Sequence, residues 1–508
     1  MSHCIITPLY RRVRLVLPMV LFLWLTVGCC HAQSSDPAND NKPVLVPLEP
    51  VPIDTSFSFI CYDTSHLRFG NDTTAWRRLA KKWHQVTSTR KGHLNIVQIG
   101  ASHVQGGTFP HRVRRNMLMP FTDFLSDRGM IFPYSAAVKC NNPFDYKVSR
   151  SHALELTRNV YKEPLEKLGL CGIAVTAHDS LAVVGMRLCD ADLPFTTQRI
   201  VLLGESRGGV VPQLQLVTPD TLTLNPTTID TVLRRYTFEL DRSVDSFKIL
   251  MPCSTGQSFA LTGVYLANDA PGVSYHSIGV NGASVSDYLR KCPFLVSDLH
   301  MLHPDLVIFC IGINDASGPN FDSVVFKNNY LQLVDSVRAV NPDCAFLFVT
   351  NNDSYRRVRK KYSVNTNGLQ VRDVFFRLAE ATGGAVWDQF AVMGGLRSME
   401  TWYQHGLAQR DRIHFTRSGY ELLGDMLSNA IFEALRNLKP AEQQVQNDAS
   451  DSKDLKRRRR NTGDDGDKYL YRRRNGDQTK ASDYSTKQDN KQIDNLDSRD
   501  EGFRYIYN

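Results

Sequence analysis

Leu306-Val307-Ile308-Phe309-Cys310-Ile311 runs directly into Gly312-Ile313-Asn314-Asp315. A continuous apolar run of this length, closed by glycine and Asn-Asp, reads as a strand buried on both faces, so Asp305 to Ile311 is assigned as a strand. The pattern repeats on both sides. Downstream, Phe321 to Val340 reads as a helix, Ala345 to Thr350 as a strand, Leu369 to Thr382 as a helix and Ala385 to Phe390 as a strand. Upstream, Thr73 to Val86 is helical, with Trp76, Leu79, Ala80 and Trp83 on one face as core anchors. A strand at Leu94 to Ile99 then ends in Gly100-Ala101-Ser102, and a helix follows from Phe109 to Met119. The last helix, Thr416 to Leu435, aligns Tyr420, Leu423, Leu427, Ala430, Ile431 and Ala434. Alternating strands and helices with near-continuous apolar strands predict an α/β fold, a parallel sheet covered by helices on both faces.

Between Asn142 and Asn268 the texture changes to short runs rich in Val, Leu, Thr and Phe, such as Ile173 to Thr176, Arg199 to Leu203 and Phe247 to Met251, separated by turn residues. That predicts an antiparallel β-domain inserted into the α/β domain. The expected organisation is a signal peptide at 1–32, a flexible linker at 33–57, the α/β domain at 58–141 and 269–438, the inserted β-domain at 142–268, and a disordered charged tail at 439–508. Five prolines among Asp, Asn and Ser mark the linker, and the tail has too few aliphatic residues to offset ordering entropy.

The 508 residues, 42% hydrophobic, have room for a large core, and a net charge of +8 is too mild for a nucleic-acid partner. Leu15 to Gly28 follows Arg11, Arg12 and Arg14 in the order of a secretory signal, with cleavage after Ala32 or, alternatively, lipidation at Cys29. The expected location is therefore the periplasm or cell envelope, an outer-membrane lipoprotein being the alternative, with no transmembrane span once the signal is removed. Of 11 cysteines, eight lie beyond this segment, and in an oxidising compartment some of them are expected to pair. Cys310, inside the apolar strand, is expected to stay a buried thiol. No CxxC pair occurs, so no metal site is expected.

Four segments lie where a parallel sheet presents its ligand sites, at the carboxyl ends of strands. In Ile99-Gly100-Ala101-Ser102-His103, the Ser102 hydroxyl can project into a cleft while its backbone N–H faces a developing oxyanion, although Ser there is also a common helix cap. In Ser277 to Ala283, Gly282 can bring a bare N–H close to a substrate. The Asn314 amide of Gly312-Ile313-Asn314-Asp315 can donate to the same oxyanion. In Asp411-Arg412-Ile413-His414, the aspartate can hold one ring nitrogen of the histidine and leave the other as a base.

Taken together and in this order, the four segments resemble the blocks of the SGNH or GDSL-type serine hydrolase superfamily. The resemblance implies Ser102 as nucleophile, His414 as general base, Asp411 as its orienting partner, and Ser102, Gly282 and Asn314 as oxyanion donors, with no cofactor. It also extends to bacterial envelope members in which a β-domain interrupts the hydrolase, as in peptidoglycan O-acetylesterases, and Gly394-Gly395-Leu396-Arg397-Ser398-Met399 adds to it. One departure is Ala101, where the family usually has Asp before the serine. The implied activity is an exported esterase removing O-acetyl groups from a cell-envelope or extracellular polysaccharide, peptidoglycan favoured. The alternatives are an O-acetyltransferase on the same fold and a non-catalytic glycan-binding protein. The insertion contains no Trp, so its own glycan binding stays open.

Overall fold

The computed structural model describes residues 48–120, 127–138, 140–216, 221–268, 270–358 and 361–438. The predicted signal segment, Cys29 and the tail at 439–508 lie outside them.

The first stretch contributes β1 (Leu67–Phe69), α1 (Thr74–Thr89), β2 (His93–Gly100), α2 (Ser102–Gln105) and α3 (Thr108–Leu118). Twelve strands follow in the β-region: β3 (Gly129–Ile131), β4 (Tyr146–Arg150), β5 (Glu155–Arg158), β6 (Ile173–His178), β7 (Leu181–Leu188), β8 (Thr197–Arg207), β9 (Gln213–Leu216), β10 (Leu222–Leu224), β11 (Thr228–Asp230), β12 (Arg235–Val244), β13 (Ser246–Pro252) and β14 (Ser258–Ala267). The α/β pattern then resumes with β15 (Gly272–Gly279), α4 (Val285–Lys291), α5 (Leu295–Leu302), β16 (Leu306–Cys310), α6 (Ser323–Arg338) and β17 (Ala345–Val349). A hairpin of β18 (Tyr355–Val358) and β19 (Lys361–Val364) precedes α7 (Asn367–Thr382), β20 (Ala385–Trp387), α8 (Gln389–Val392), α9 (Ser398–Gln404) and α10 (Arg417–Asn437).

The central sheet has the order β1-β20-β17-β16-β2-β15, parallel throughout except for β1. One helical layer combines α1, α3 and α10, and the other combines α4 to α7. From β2 the chain goes to β15 on one side and then to β16 on the other, so the strand order reverses at β2. A crevice opens at the carboxyl edge beside such a reversal. Ser102 is two residues past the end of β2.

The periodicity of α1 works as anticipated: Trp76 and Trp83 are buried, and Trp76 Nε1 donates to the Phe346 carbonyl of β17 at 3.1 Å. Truncating either tryptophan to Ala costs about 3–5 kcal/mol by the usual cost of emptying a packed core site. On the same side, Asp425 of α10 accepts from Arg112 Nε at 2.6 Å and from Asn116 at 2.7 Å, which fixes α3 and with it the Ser102 turn.

The β-region forms two antiparallel sheets, β10-β9-β13-β7-β4 and β11-β12-β8-β14-β6-β5, with β3 added to β14. Its pairing starts at Gly129, earlier than the expected boundary at 142, because Gly129 to Ile131 pair with Leu266 to Val264. A three-residue strand is too short for its alternation to be read. Charged groups seal the junction with the α/β portion. Buried Arg114 and Arg128 both donate to Asp145, the latter at 2.7 Å. Burial opposes ionisation of Asp145, yet the two guanidiniums hold it well below the usual carboxylate range.

Two further expectations change. The described part of the linker is docked: Leu48 is buried, its carbonyl accepts from Arg436, and the Val51 main chain exchanges hydrogen bonds of 2.8 and 2.9 Å with Asn429 of α10. Proline content suppressed helix and strand there but did not prevent packing. All eight cysteines beyond the signal segment are free thiols, so none is paired. Cys310 is one of them; burial pushes it up to about 12, and its sulfur accepts from Gln98 at 3.1 Å.

Candidate active site

The four segments singled out by sequence meet at the carboxyl edge of the sheet, after β2, β15, β16 and α9. Ser102 opens α2, where its N–H has no preceding helical carbonyl to serve. Gly279 at the end of β15 lets the turn pack closely, since a side chain there would come within 2.6 Å of the Ala101 carbonyl. Ser102 Oγ lies 2.7 Å from His414 Nε2, and His414 Nδ1 lies 2.7 Å from Asp411 Oδ2. Because an ionised carboxylate only accepts, Nδ1 carries the proton and Nε2 is left to receive one from serine.

Asp411 has a second task. Its Oδ1 accepts from the N–H groups of Ile413 and His414 at 2.9 and 3.0 Å, closing a turn in which Arg412 takes φ +56°. Burial works against the charge on Asp411, but the His414 ring and these two N–H groups hold it below its ordinary value.

Gly282 has φ +85°, a conformation that favours glycine. A side chain there would meet Val160 of the β-region at 3.8 Å, so the backbone angle constrains position 282 more than space does. Asn314 Nδ2 donates to the Ala283 carbonyl at 3.0 Å, leaving a second amide hydrogen for a ligand. The neighbouring Asp315 accepts from Val285 N at 3.1 Å, and Asn281 N donates to Gln105 of α2 at 2.7 Å. The three oxyanion-type loops are thus tied to one another.

Several supporting residues escaped the sequence reading. Asn352 Nδ2 donates to the Ile413 carbonyl at 2.9 Å and Tyr355 N to the Arg412 carbonyl at 3.0 Å, so the loop after β17 holds the Asp411 turn. The signal was present: Asn351-Asn352-Asp353 follows a buried strand, as the other site segments do. His103 Nδ1 is 2.8 Å from the Tyr420 hydroxyl, and its ring lies 5.0 Å from that of His414. Burial, reinforced by His414, pushes His103 down to about 3, so it stays neutral beside the dyad. Beside these rings lies a small, part-open pocket lined in part by His103, Cys310, Ile313 and Phe415.

A parallel-sheet α/β domain with Ser, His and Asp in hydrogen-bond series has the architecture of a serine hydrolase. Residues 254–422 match the GDSL-like Lipase/Acylhydrolase family. In fold the chain resembles a solved peptidoglycan O-acetylesterase, with a TM-score of 0.59 and 21% identity over 73% of this chain and 99% of that one. Smaller overlaps occur with the acetyl xylan esterase AlAXEase (TM-score 0.25, 18% identity, 30% of this chain and 79% of that one) and a GDSL-like lipase from Bacteroides thetaiotaomicron (TM-score 0.25, 16% identity, 32% and 76%). No curated protein matches this chain in sequence. Among the described residues, no helix is long and apolar enough to cross a membrane.

Proposed function

We propose that this protein is an exported serine esterase that removes O-acetyl groups from a cell-envelope polysaccharide, peptidoglycan being the favoured substrate. The observation that carries the reading is the 2.7 Å spacing at both links of the Ser102, His414 and Asp411 series. Ser102 Oγ attacks the acetyl carbonyl as His414 Nε2 takes its proton, and the tetrahedral oxyanion is received by the N–H groups of Ser102 and Gly282 and the amide of Asn314. The intermediate collapses, and His414 returns the proton to the departing sugar oxygen. Water, deprotonated by His414, then attacks acyl-Ser102 and releases acetate. Ala101 removes a carboxylate beside the serine but neither the hydroxyl nor the base.

Export rests on the N-terminal charge and hydropathy pattern, with Cys29 as the alternative lipid-anchor site. The preference for peptidoglycan is supported by the similarity in fold to an enzyme acting on it, and the proximity of Val160 to Gly282 gives the β-region a part in shaping the cleft. Measured acetate release should be faster from O-acetylated peptidoglycan than from acetylated xylan and should vanish with Ser102→Ala. A clear preference for xylan removes the peptidoglycan assignment. Labelled acetyl appearing on acceptor sugars instead of acetate replaces hydrolysis by transfer.

A further inference from the structure

Past Asn351-Asn352-Asp353, the chain forms the β18–β19 hairpin, and this hairpin is fastened to the catalytic turn. Besides the Tyr355 to Arg412 backbone bond, the Arg412 guanidinium lies 4.9 Å from the Tyr362 ring and 3.8 Å from the Tyr403 ring, and its Nε donates to Glu400 at 3.0 Å. Cation–π contacts on two rings together with an ion pair make Arg412 a rivet between the hairpin, α9 and the residues that carry Asp411 and His414.

The hairpin brings charge with it. From Arg356 to Lys361 the sequence holds five basic residues and no acidic one. Arg356 is bound to the Gly318 carbonyl, but Arg357 and Lys361 are exposed and have no hydrogen-bond or ion-pair partner among the described residues. The side chain of Arg410, next to Asp411, is exposed and equally without such a partner. The acids of the same loops are engaged elsewhere: Asp353 accepts from Met399 N at 3.0 Å, Glu400 holds Arg412, and Asp411 holds His414. Positive charge beside the cleft is therefore not balanced locally, although the whole chain is only mildly basic. Such a field raises the local concentration of anions. The Tyr362 ring, 41% exposed and paired across the hairpin with Arg357, adds a flat surface suited to a sugar ring.

We infer that Arg357, Lys361 and Arg410 form a cationic rim that binds negative groups spaced along the acetylated polymer, so that the substrate is an acidic, carboxylate-bearing polysaccharide in preference to a neutral one. The inference rests on the esterase reading for its biological sense but is tested without ester cleavage. Full-length protein carrying Ser102→Ala is titrated with unacetylated polygalacturonate and unacetylated xylan at low and raised salt. Polygalacturonate should bind at least about tenfold more tightly and weaken as salt screens the rim. Adding Arg357→Gln, Lys361→Gln and Arg410→Gln should reduce that binding about tenfold, and Arg357→Lys with Arg410→Lys should retain it, as expected of surface charges acting over a Debye length. Equal affinity for the two polymers, or full binding by the glutamine variant, overturns the rim. If wild-type protein binds polygalacturonate yet releases no acetate from O-acetylated peptidoglycan or from either polymer after chemical acetylation, the esterase reading fails while the rim stands.

Discussion

The two kinds of sheet in this molecule treat polar residues in opposite ways. In the parallel sheet all five parallel strands end at one edge, so Ser102, Gly282, Asn314 and the loop after β17 are brought to the same side of the sheet. In the antiparallel β-region turns fall at both ends of each sheet, and the most concentrated polar chemistry is buried at the seam, where Arg114, Arg128, Asp145, Asp127 and His276 lock the region to the α/β portion. One arrangement exposes charge to a ligand, and the other uses charge as a fastener. On the proposed function, the same residue types should therefore differ in what their loss does: catalysis should fail at the edge, and folding at the seam.

The largest effect is expected at Ser102. Ser102→Ala should lower p-nitrophenyl acetate hydrolysis by roughly three powers of ten or more while leaving the melting temperature close to that of the parent. Activity within about tenfold of the parent would move the nucleophile elsewhere. Next in size, Asp411→Asn should cost roughly a hundredfold or more in kcat, because an amide can present its N–H to Nδ1 and favour the wrong tautomer. Unchanged circular dichroism would separate that loss from unfolding. At the seam, Asp145→Ala removes the carboxylate shared by two buried guanidiniums, leaving Arg114 only Asp190 at 4.0 Å among the described residues, and should destabilise the fold by about 3–5 kcal/mol, measured by chemical denaturation. The molecules that remain folded should keep their specific activity. If turnover falls while stability holds, the division between edge and seam is wrong.

The smallest effect is a pH dependence. Burial pushes Asp127 up to about 7 from an ordinary 3.8, so the folded chain keeps a proton that the unfolded chain has lost. Its contribution to stability is present below about pH 4 and is lost as pH rises toward 7, since over that range the unfolded state binds fewer protons. Asp127→Asn should therefore raise Tm more at pH 8 than at pH 5. An equal change at both values would show that Asp127 is not held protonated.

What the sequence made legible follows from period and position. The buried strands β2, β16 and β17 and the amphipathic helices α1, α6, α7 and α10 carry runs long enough to read, and the site segments follow strand ends. The three-residue strand β3 and the short helices α4 and α5 offer too few positions for a period, and α4 is marked chiefly by its capping box of Ser284 and Asp287. The docking of Leu48 and Val51 depends on Asn429 and Arg436, hundreds of residues away, and no local pattern carries it. At the site, the meeting of Ser102, Asp411 and His414 was legible because a hydroxyl, an imidazole and a carboxylate in series admit few other residue types. Asn352, Tyr355 and Arg412 act through backbone carbonyls and ring faces, which many residue types can serve, so their roles appear only once the chain is folded.

The pairing of β3 with β14 also bears on how the chain assembles. β2 must find β15 across the whole β-region, a search whose entropic cost rises with the length of the intervening chain. Gly129 opposite Leu266 and Ile131 opposite Val264 close the neck of that region, so that once it has folded its two ends leave side by side. Seen from β2, a detour of more than a hundred residues then acts as a short connection, and the strand that leads into Ser102 meets its neighbour almost as if the two were consecutive.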